Sequence, residues 1–140
     1  APHEIAAMAR GLPLVRYSAR SKTGIEIERH LRRLALDIPA GHEFDTPSGV
    51  TAMVAAGHGF AITTPLCLAE AEPSSGSVVA VPLPGPKFTR TLTLIARRQE
   101  LGSLPGDLAR ACRAALESGV IETLRRDLPW LDRELFSIRR

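Results

Sequence analysis

The sequence predicts an α/β fold in which short strands alternate with helices. Two patterns indicate it: apolar runs of strand length recur between helical patterns, and two of these runs end in Thr-Pro directly before a helical pattern. The chain has 140 residues with 44% hydrophobic content, which is enough for one ordinary core. Strands that alternate with helices favour a mostly parallel sheet flanked by helices, with right-handed crossovers.

The elements follow from the patterns in chain order. Strands are predicted at 12–17, about 42–45, 60–63, 78–81 and 89–96, and helices at 3–10, about 23–36, 47–57, after Pro65, and about 104–127. Thr23 and Glu26 have capping-box spacing, and the residues that follow place apolar side chains on one helical face. In 89–96 threonine alternates with larger residues, which is the period of a strand with unlike faces.

The two Thr-Pro junctions are the most specific local feature. Thr46-Pro47 and Thr64-Pro65 each follow a short extended run. Threonine is a favoured N-cap and proline is favoured at the first helical position, so each junction predicts a strand that leads straight into a helix. Two helix N-termini at neighbouring strand ends would form a cup of N–H groups and hydroxyls that suits a small anion.

Composition excludes several classes of protein. The net charge is +3, but acidic residues are interleaved with the basic ones and only 4% of residues are aromatic, so solvated helix faces explain the charge better than a nucleic-acid surface does. No stretch reads as a membrane helix or a secretory signal, so no membrane contact is expected. The two cysteines predict a cytoplasmic protein, because disulfides are rare in that compartment. Cys67 and Cys112 lie far apart in apolar helical patterns and are predicted to be reduced, buried thiols.

The usual catalytic and cofactor motifs do not occur. Gly57-His58-Gly59 begins a dinucleotide fingerprint, but Ile62 stands where the third glycine belongs and the glycines end a helix. The four histidines are not at ligand spacing and are expected at the surface or at helix ends. No metal and no cofactor is therefore predicted. Asp45 fits either a general base or a carboxylate that supports its own loop, and we favour the second reading.

Hydroxyl side chains stand at three predicted strand ends. They are Tyr17 and Ser18, Thr46, and Thr63 and Thr64. In an open α/β sheet, ligands bind beyond the carboxyl ends of the strands, so these hydroxyls and the nearby helix N–H groups predict a site for a carboxylate, with Arg20 as an added charge. The alternative is that Ser18, Thr46 and Thr64 only cap helices.

Four passages in order also carry a family resemblance: Leu12–Ser18, Phe44–Thr46, Met53–Pro65 and Leu92–Arg98. The most specific is Val-Ala-Ala-Gly-x-Gly-Phe-Ala-Ile-x-x-Pro, which begins at Val54. Over about residues 11–126 the chain resembles the C-terminal co-inducer-binding (effector-binding) domain of LysR-type transcriptional regulators. The resemblance implies a fold like that of type 2 periplasmic binding proteins, with two α/β subdomains and a small effector, often a carboxylate, bound between them.

The resemblance also implies how the chain is organised. Residues 1–140 would form a single partial effector-binding domain, with the second subdomain at 12–82, an antiparallel return strand and C-terminal helix within 83–126, and a C-terminal extension at 127–140. The winged helix-turn-helix, the linker helix and most of the first subdomain of the family have no counterpart in these 140 residues. We therefore expect contact with DNA only through a helix-turn-helix domain that these residues do not contain.

The expected function is a noncatalytic sensor of a small, anionic effector. Carried over from the family, Tyr17, Ser18, Thr46, Thr63 and Thr64 would lie on the cleft wall. The family forms homo-oligomers, and the predicted surface for a dimer (or tetramer) is the helix at 23–36, with Ile25, Ile27, Leu31 and Leu34, together with the adjoining strand. The alternatives are a solute-binding protein of a transporter and, third, an enzyme on the same scaffold with Asp45 as its base.

Overall fold

A computed structural model of the chain describes residues 2–39, 41–74 and 76–131. Its helices are α1 (Pro2–Gly11), α2 (Lys22–Arg33), α3 (Pro47–Ala55), α4 (Pro65–Ala71), α5 (Leu104–Ala115) and α6 (Ile121–Asp127), and its strands are β1 (Arg16–Tyr17) and β2 (Glu43–Phe44). A π-helical segment, Leu116–Val120, joins α5 to α6. The chain divides into two compact units, Ala1–Phe88 and Thr89–Arg140.

The first unit is organised around β1. β1 pairs with β2 in parallel, with Tyr17 opposite Phe44. Val15 directly precedes β1, and its N–H donates to the Phe60 carbonyl over 2.8 Å. Leu14 and Phe60 form a parallel bridge. Successive residues of a strand direct their backbone groups to opposite sides, so β1 lies between β2 and the segment at Phe60. The carboxyl ends of all three segments therefore point to one edge.

The core of this unit draws on both the strands and the helices. Its buried members are Ile5, Leu14, Val15, Tyr17, Ile27, Leu31, Ile38, Val50, Phe60, Ile62 and Cys67. The extended chain at 14–17, which includes β1, places Leu14 on one face and Val15 and Tyr17 on the other, all buried, as expected for a segment covered by helices on each side. The α/β class and the small parallel arrangement agree with the sequence prediction.

Two glycines allow the close approach that this packing requires. A Cβ at Gly24 would overlap the Ser18 carbonyl oxygen and lie 2.7 Å from the Tyr17 carbonyl oxygen. Gly59 has φ of 153°, and a Cβ there would overlap the Pro13 carbonyl oxygen. The start of α2 and the segment at Phe60 can therefore approach the β1 backbone only because these two positions lack a side chain.

Two predicted strands are not formed in the part of the chain that the structure describes. Neither 78–81 nor 89–96, which includes the predicted antiparallel return strand, belongs to a sheet ladder. A strand requires a neighbour that supplies hydrogen bonds, and the ladder contacts of the described residues are those of β1 with β2 and with Phe60. Ile95, on the alternating segment, is 85% exposed.

The start of α2 also differs from the prediction. Ser21, not Thr23, is the N-cap, because its Oγ accepts the Gly24 N–H over 2.9 Å. Thr23 is instead buried, with its Oγ1 3.9 Å from the Cys67 Sγ. Ile27 belongs to the core of the unit. So does Leu31, and neither side chain is available to the dimer surface that was predicted on this helix.

The second unit contains the predicted long helix. It runs through α5, the π-helical segment and α6, which agrees with the predicted bounds of about 104–127. Cys112 on α5 is exposed, so the prediction that both thiols are buried is correct for Cys67 and wrong for Cys112. No residue of α5 is buried, although its apolar residues are spaced so that they lie on one face of the helix. Most of the predicted extension at 127–140 lies outside the described residues.

Within the described ranges, the structure contains no helix that is long and apolar enough to cross a membrane.

The contact between Gly24 and the end of β1 predicts a strong effect of Gly24→Ala. We expect it to lower the free energy of unfolding by about 1–3 kcal/mol, because the added methyl group forces α2 away from the Ser18 carbonyl. The matched control is Gly11→Ala at the end of α1, where a Cβ meets nothing within 4 Å. That change should be neutral or stabilising by up to about 1 kcal/mol. Urea denaturation followed by circular dichroism measures both, and equal stability of the two variants would contradict the packing.

Candidate functional site

Three helices of the first unit begin where its three parallel segments end. Ser21, Thr46 and Thr64 are their N-caps. Each hydroxyl oxygen accepts a backbone N–H three residues on, from Gly24 over 2.9 Å, from Gly49 over 3.2 Å and from Cys67 over 3.2 Å. The predicted capping roles of Thr46 and Thr64 are confirmed. The edge therefore gathers three helix N-termini, whose partial positive charge favours an anion.

The prolines limit how many backbone donors remain there. Pro47 and Pro65 are the first residues of α3 and α4 and carry no N–H. The threonine cap takes the third N–H of each helix, and the fourth bonds the threonine carbonyl, from Val50 and from Leu68. Only the second N–H, of Ser48 in α3 and Leu66 in α4, is left without an acceptor from its own helix turn.

Tyr17 and Thr63 are brought together at the ends of neighbouring segments. The Tyr17 hydroxyl lies 2.7 Å from the Thr63 Oγ1, and the Tyr17 side chain is only 4% exposed. Burial raises the pKa of Tyr17 to about 12, and the hydrogen bond with Thr63 partly opposes that rise. The phenol is therefore neutral at physiological pH and ties the end of β1 to the segment that leads into α4.

Ser18 shapes the turn from β1 into α2 and does not cap a helix. It is buried, and its N–H donates to the Phe44 carbonyl over 2.9 Å. Its carbonyl accepts the N–H and the hydroxyl of Ser21, and its own Oγ accepts the Arg20 N–H over 3.2 Å. The capping role considered for Ser18 thus belongs to Ser21, which the sequence reading missed in favour of Thr23.

The charged residues considered for the site bind each other. Arg20 Nη2 donates to both carboxylate oxygens of Asp45, over 3.3 and 3.2 Å. The two side chains are 85% and 66% exposed. Asp45 therefore joins the loop after β2 to the loop after β1. This bond reaches another loop, so it differs from the support of its own loop that the sequence favoured.

Of the five predicted site residues, the structure joins one pair and leaves three in local contacts. Tyr17 and Thr63 share a hydrogen bond, whereas the side-chain hydroxyls of Ser18, Thr46 and Thr64 accept bonds within their own junctions. An enclosed space of about 10 Å³ lies between β1 and α2, lined by Leu14, Val15, Arg16, Tyr17, Gly24, Ile27, Glu28 and Ile62. It has room for about one water molecule and is too small for an effector.

Among the described residues, no group of three or more histidine, cysteine, aspartate or glutamate side chains is placed to hold a metal ion.

The strand ends and capped helices define an α/β domain, one edge of which carries neutral hydrogen-bond donors. Residues 3–119 match the model of the LysR substrate binding domain, and the chain belongs to that family. Searches of curated proteins and of solved structures found no match to the chain. The family is regulatory, not enzymatic, and its fold is of the α/β type seen in type 2 periplasmic binding proteins. The family resemblance read from the sequence is confirmed.

Tyr17 is the single tyrosine of the chain, so its titration can be followed by tyrosinate absorbance. We expect a pKa of about 12 in the folded protein and the ordinary value of 10.0 in denaturant. The raised pKa makes a contribution to stability that is complete below about pH 10 and is lost as the pH rises toward about 12. Tyr17→Phe should remove this loss of stability in alkali. A folded-state pKa near 10 would show that the phenol is not buried as described.

Proposed function

We propose that this chain is the effector-sensing part of a LysR-type transcriptional regulator and that it binds a small carboxylate at the edge where β1, β2 and the Phe60 segment end. The observation that carries the proposal is the convergence of three capped helix N-termini on that edge. Family membership supports effector binding in general, and the donor chemistry of the edge supports an anion.

The carboxylate would bind neutral donors. The N–H groups of Ser48 and Leu66 are the backbone donors that the first turns of α3 and α4 leave over, and each capping threonine keeps its hydroxyl proton to donate. A hydrogen bond to a charged group contributes about 1.5–3 kcal/mol, so a few such bonds suffice for recognition. Tyr17 and Thr63 would form the adjoining wall, and Ser18 would hold the turn beside it.

Arg20 would supply a nearby positive charge. Its bond to Asp45 is exposed, and exposed ion pairs contribute little to stability, about 0–1 kcal/mol. The guanidinium can therefore turn toward a bound carboxylate at small cost.

The effector would bind between two subdomains, and its binding would change their relative orientation. In this proposal residues 12–82 form the second subdomain, 83–126 the return strand and C-terminal helix, and 127–140 an extension. The exposed, alternating segment at 89–96 is consistent with a strand that pairs outside the described residues. The facing wall and the DNA-binding helix-turn-helix would belong to a longer, cytoplasmic, oligomeric protein, and subunit contacts would pass the change to DNA.

A thermal-shift screen of small carboxylates on the chain tests the site. A carboxylate present at about 100 times its dissociation constant should stabilise the protein by about 2.7 kcal/mol. Thr46→Val and Thr64→Val should each weaken binding by about tenfold or more, because a charge-assisted hydrogen bond is lost and the helix start is loosened. Each variant is compared with its own ligand-free melting temperature, since loss of the cap lowers stability by itself.

Two sets of controls separate the site from the fold. Thr46→Ser and Thr64→Ser keep the hydroxyl and should keep binding, and Thr91→Val makes the same chemical change on an exposed segment of the other unit. If the valine variants at 46 and 64 are stabilised as much as the parent, the carboxylate binds elsewhere.

A further inference from the structure

His30 is a fully buried histidine that the proposed effector site does not use. It lies in the last turn of α2, as predicted for a helix-end histidine, but it is 0% exposed. His3, His42 and His58 are exposed, as predicted. The His30 Nδ1 is 3.2 Å from the Arg33 Nη2, and its ring centroid is 4.9 Å from that of Phe88, with the ring planes tilted by 41°.

The bond to Arg33 determines the protonation of the ring. A guanidinium can only donate, so the Nδ1 must accept and the single proton of the neutral ring must be on Nε2. The Nε2 is buried and has no hydrogen-bond partner among the described residues. A second proton would place an N–H against the Arg33 donor and a positive charge in the core. Protonation of His30 is therefore incompatible with the packing that surrounds it.

The charged groups near His30 lie on α2 and β1. Glu26, one turn before His30 on α2, is paired with Lys22. Arg33 on α2 is the charged group that acts on the ring. On β1, which packs with α2, Arg16 is bound to Glu28, and Lys87 precedes Phe88 in the sequence. Burial, and then the charge of Arg33, lower the pKa of His30. The unfolded chain therefore takes up a proton on His30 more readily than the folded chain does. The stability that the neutral, buried ring contributes is complete above about pH 6.5, the ordinary pKa, and is lost as the pH falls below it.

Phe88 is where the first unit ends. It is half-buried against the core of that unit, and the second unit begins at Thr89. The contact between the His30 and Phe88 rings therefore anchors the chain at the point where it leaves the first unit. In contrast, the segment that follows Phe88 is exposed up to α5.

We propose that the His30–Phe88 contact is a pH-sensitive anchor: protonation of His30 separates the ring from Arg33, releases Phe88 from the core and frees the chain at the boundary of the two units. This inference does not depend on the effector site. The domain would then respond to pH as well as to an effector. The proton would act on the segment around Phe88 and not on the edge where the effector is proposed to bind.

The experiment follows the ring and the connecting segment together in the 140-residue chain. Nitrogen chemical shifts from NMR report the tautomer and pKa of His30, and hydrogen exchange reports on peptides that cover residues 83–90, corrected for intrinsic rates, from about pH 8 to about pH 5. We expect an Nε2–H tautomer at the upper end, and at lower pH a rise in exchange of 83–90 whose midpoint equals the pKa of the ring.

Two variants and one control complete the test. His30→Phe keeps an aromatic ring but cannot be protonated, so exchange of 83–90 should lose its dependence on pH. Arg33→Gln can still donate to Nδ1 without a charge. It should raise the pKa of His30 and move the exchange midpoint by the same amount. His42→Gln removes an exposed histidine and should change neither quantity.

The proposal is overturned if exchange of 83–90 rises equally in His30→Phe and in the parent. It is also overturned if the exchange midpoint stays in place when Arg33→Gln moves the pKa of the ring. The arginine variant changes an exposed side chain, so it remains informative if His30→Phe fails to fold.

Discussion

Parallel hydrogen bonding of β1 on both of its sides is the interaction on which the rest of the first unit depends. The N–H groups of Arg16 and Ser18 donate to the carbonyls of His42 and Phe44, and the N–H of Val15 donates to that of Phe60. These few bonds align three chain segments, so that the helices which follow begin at one edge. The alignment requires glycine at Gly24 and at Gly59, since a side chain at either position would collide with the backbone of the neighbouring segment. The site is thus a consequence of backbone packing before any side chain acts.

At this edge, the residues that fix the starts of α3 and α4 also reduce the number of free N–H donors. Proline at the first position of α3 and α4 sets the backbone for helix entry but removes a donor, and each threonine cap occupies another. Few donors remain, and they are held in fixed directions by capped helices and by the buried Tyr17–Thr63 bond. A small number of donors in fixed positions favours an anion of matching shape, whereas a general attraction for negative charge would accept any anion. The exposed Arg20 would complement them in the proposed site, because an exposed ion pair such as its bond to Asp45 contributes little to stability.

Features that depend on a few neighbouring residues could be predicted from the sequence, and features that depend on contacts between distant residues could not. The Thr46 and Thr64 caps were predicted correctly because a cap, a proline and three following residues contain all the relevant chemistry. Ser21 and Thr23 are both acceptable caps, and the choice between them depends on Gly24 packing against the distant end of β1. The strands at 78–81 and 89–96 have the correct composition, but a strand exists only beside a partner, which periodicity cannot supply. Periodicity likewise identified the apolar face of α2 but not that the core of the same unit covers Ile27 and Leu31.

The central claim is that a carboxylate binds the free donors at the starts of α3 and α4. The most direct measurement is an NMR titration of the backbone amides with the carboxylate that stabilises the protein most. The account predicts that the Ser48 and Leu66 amide protons shift downfield together, with one dissociation constant, as they form hydrogen bonds to the anion. Saturable shifts that leave both amides unchanged and lie elsewhere in the chain would contradict it.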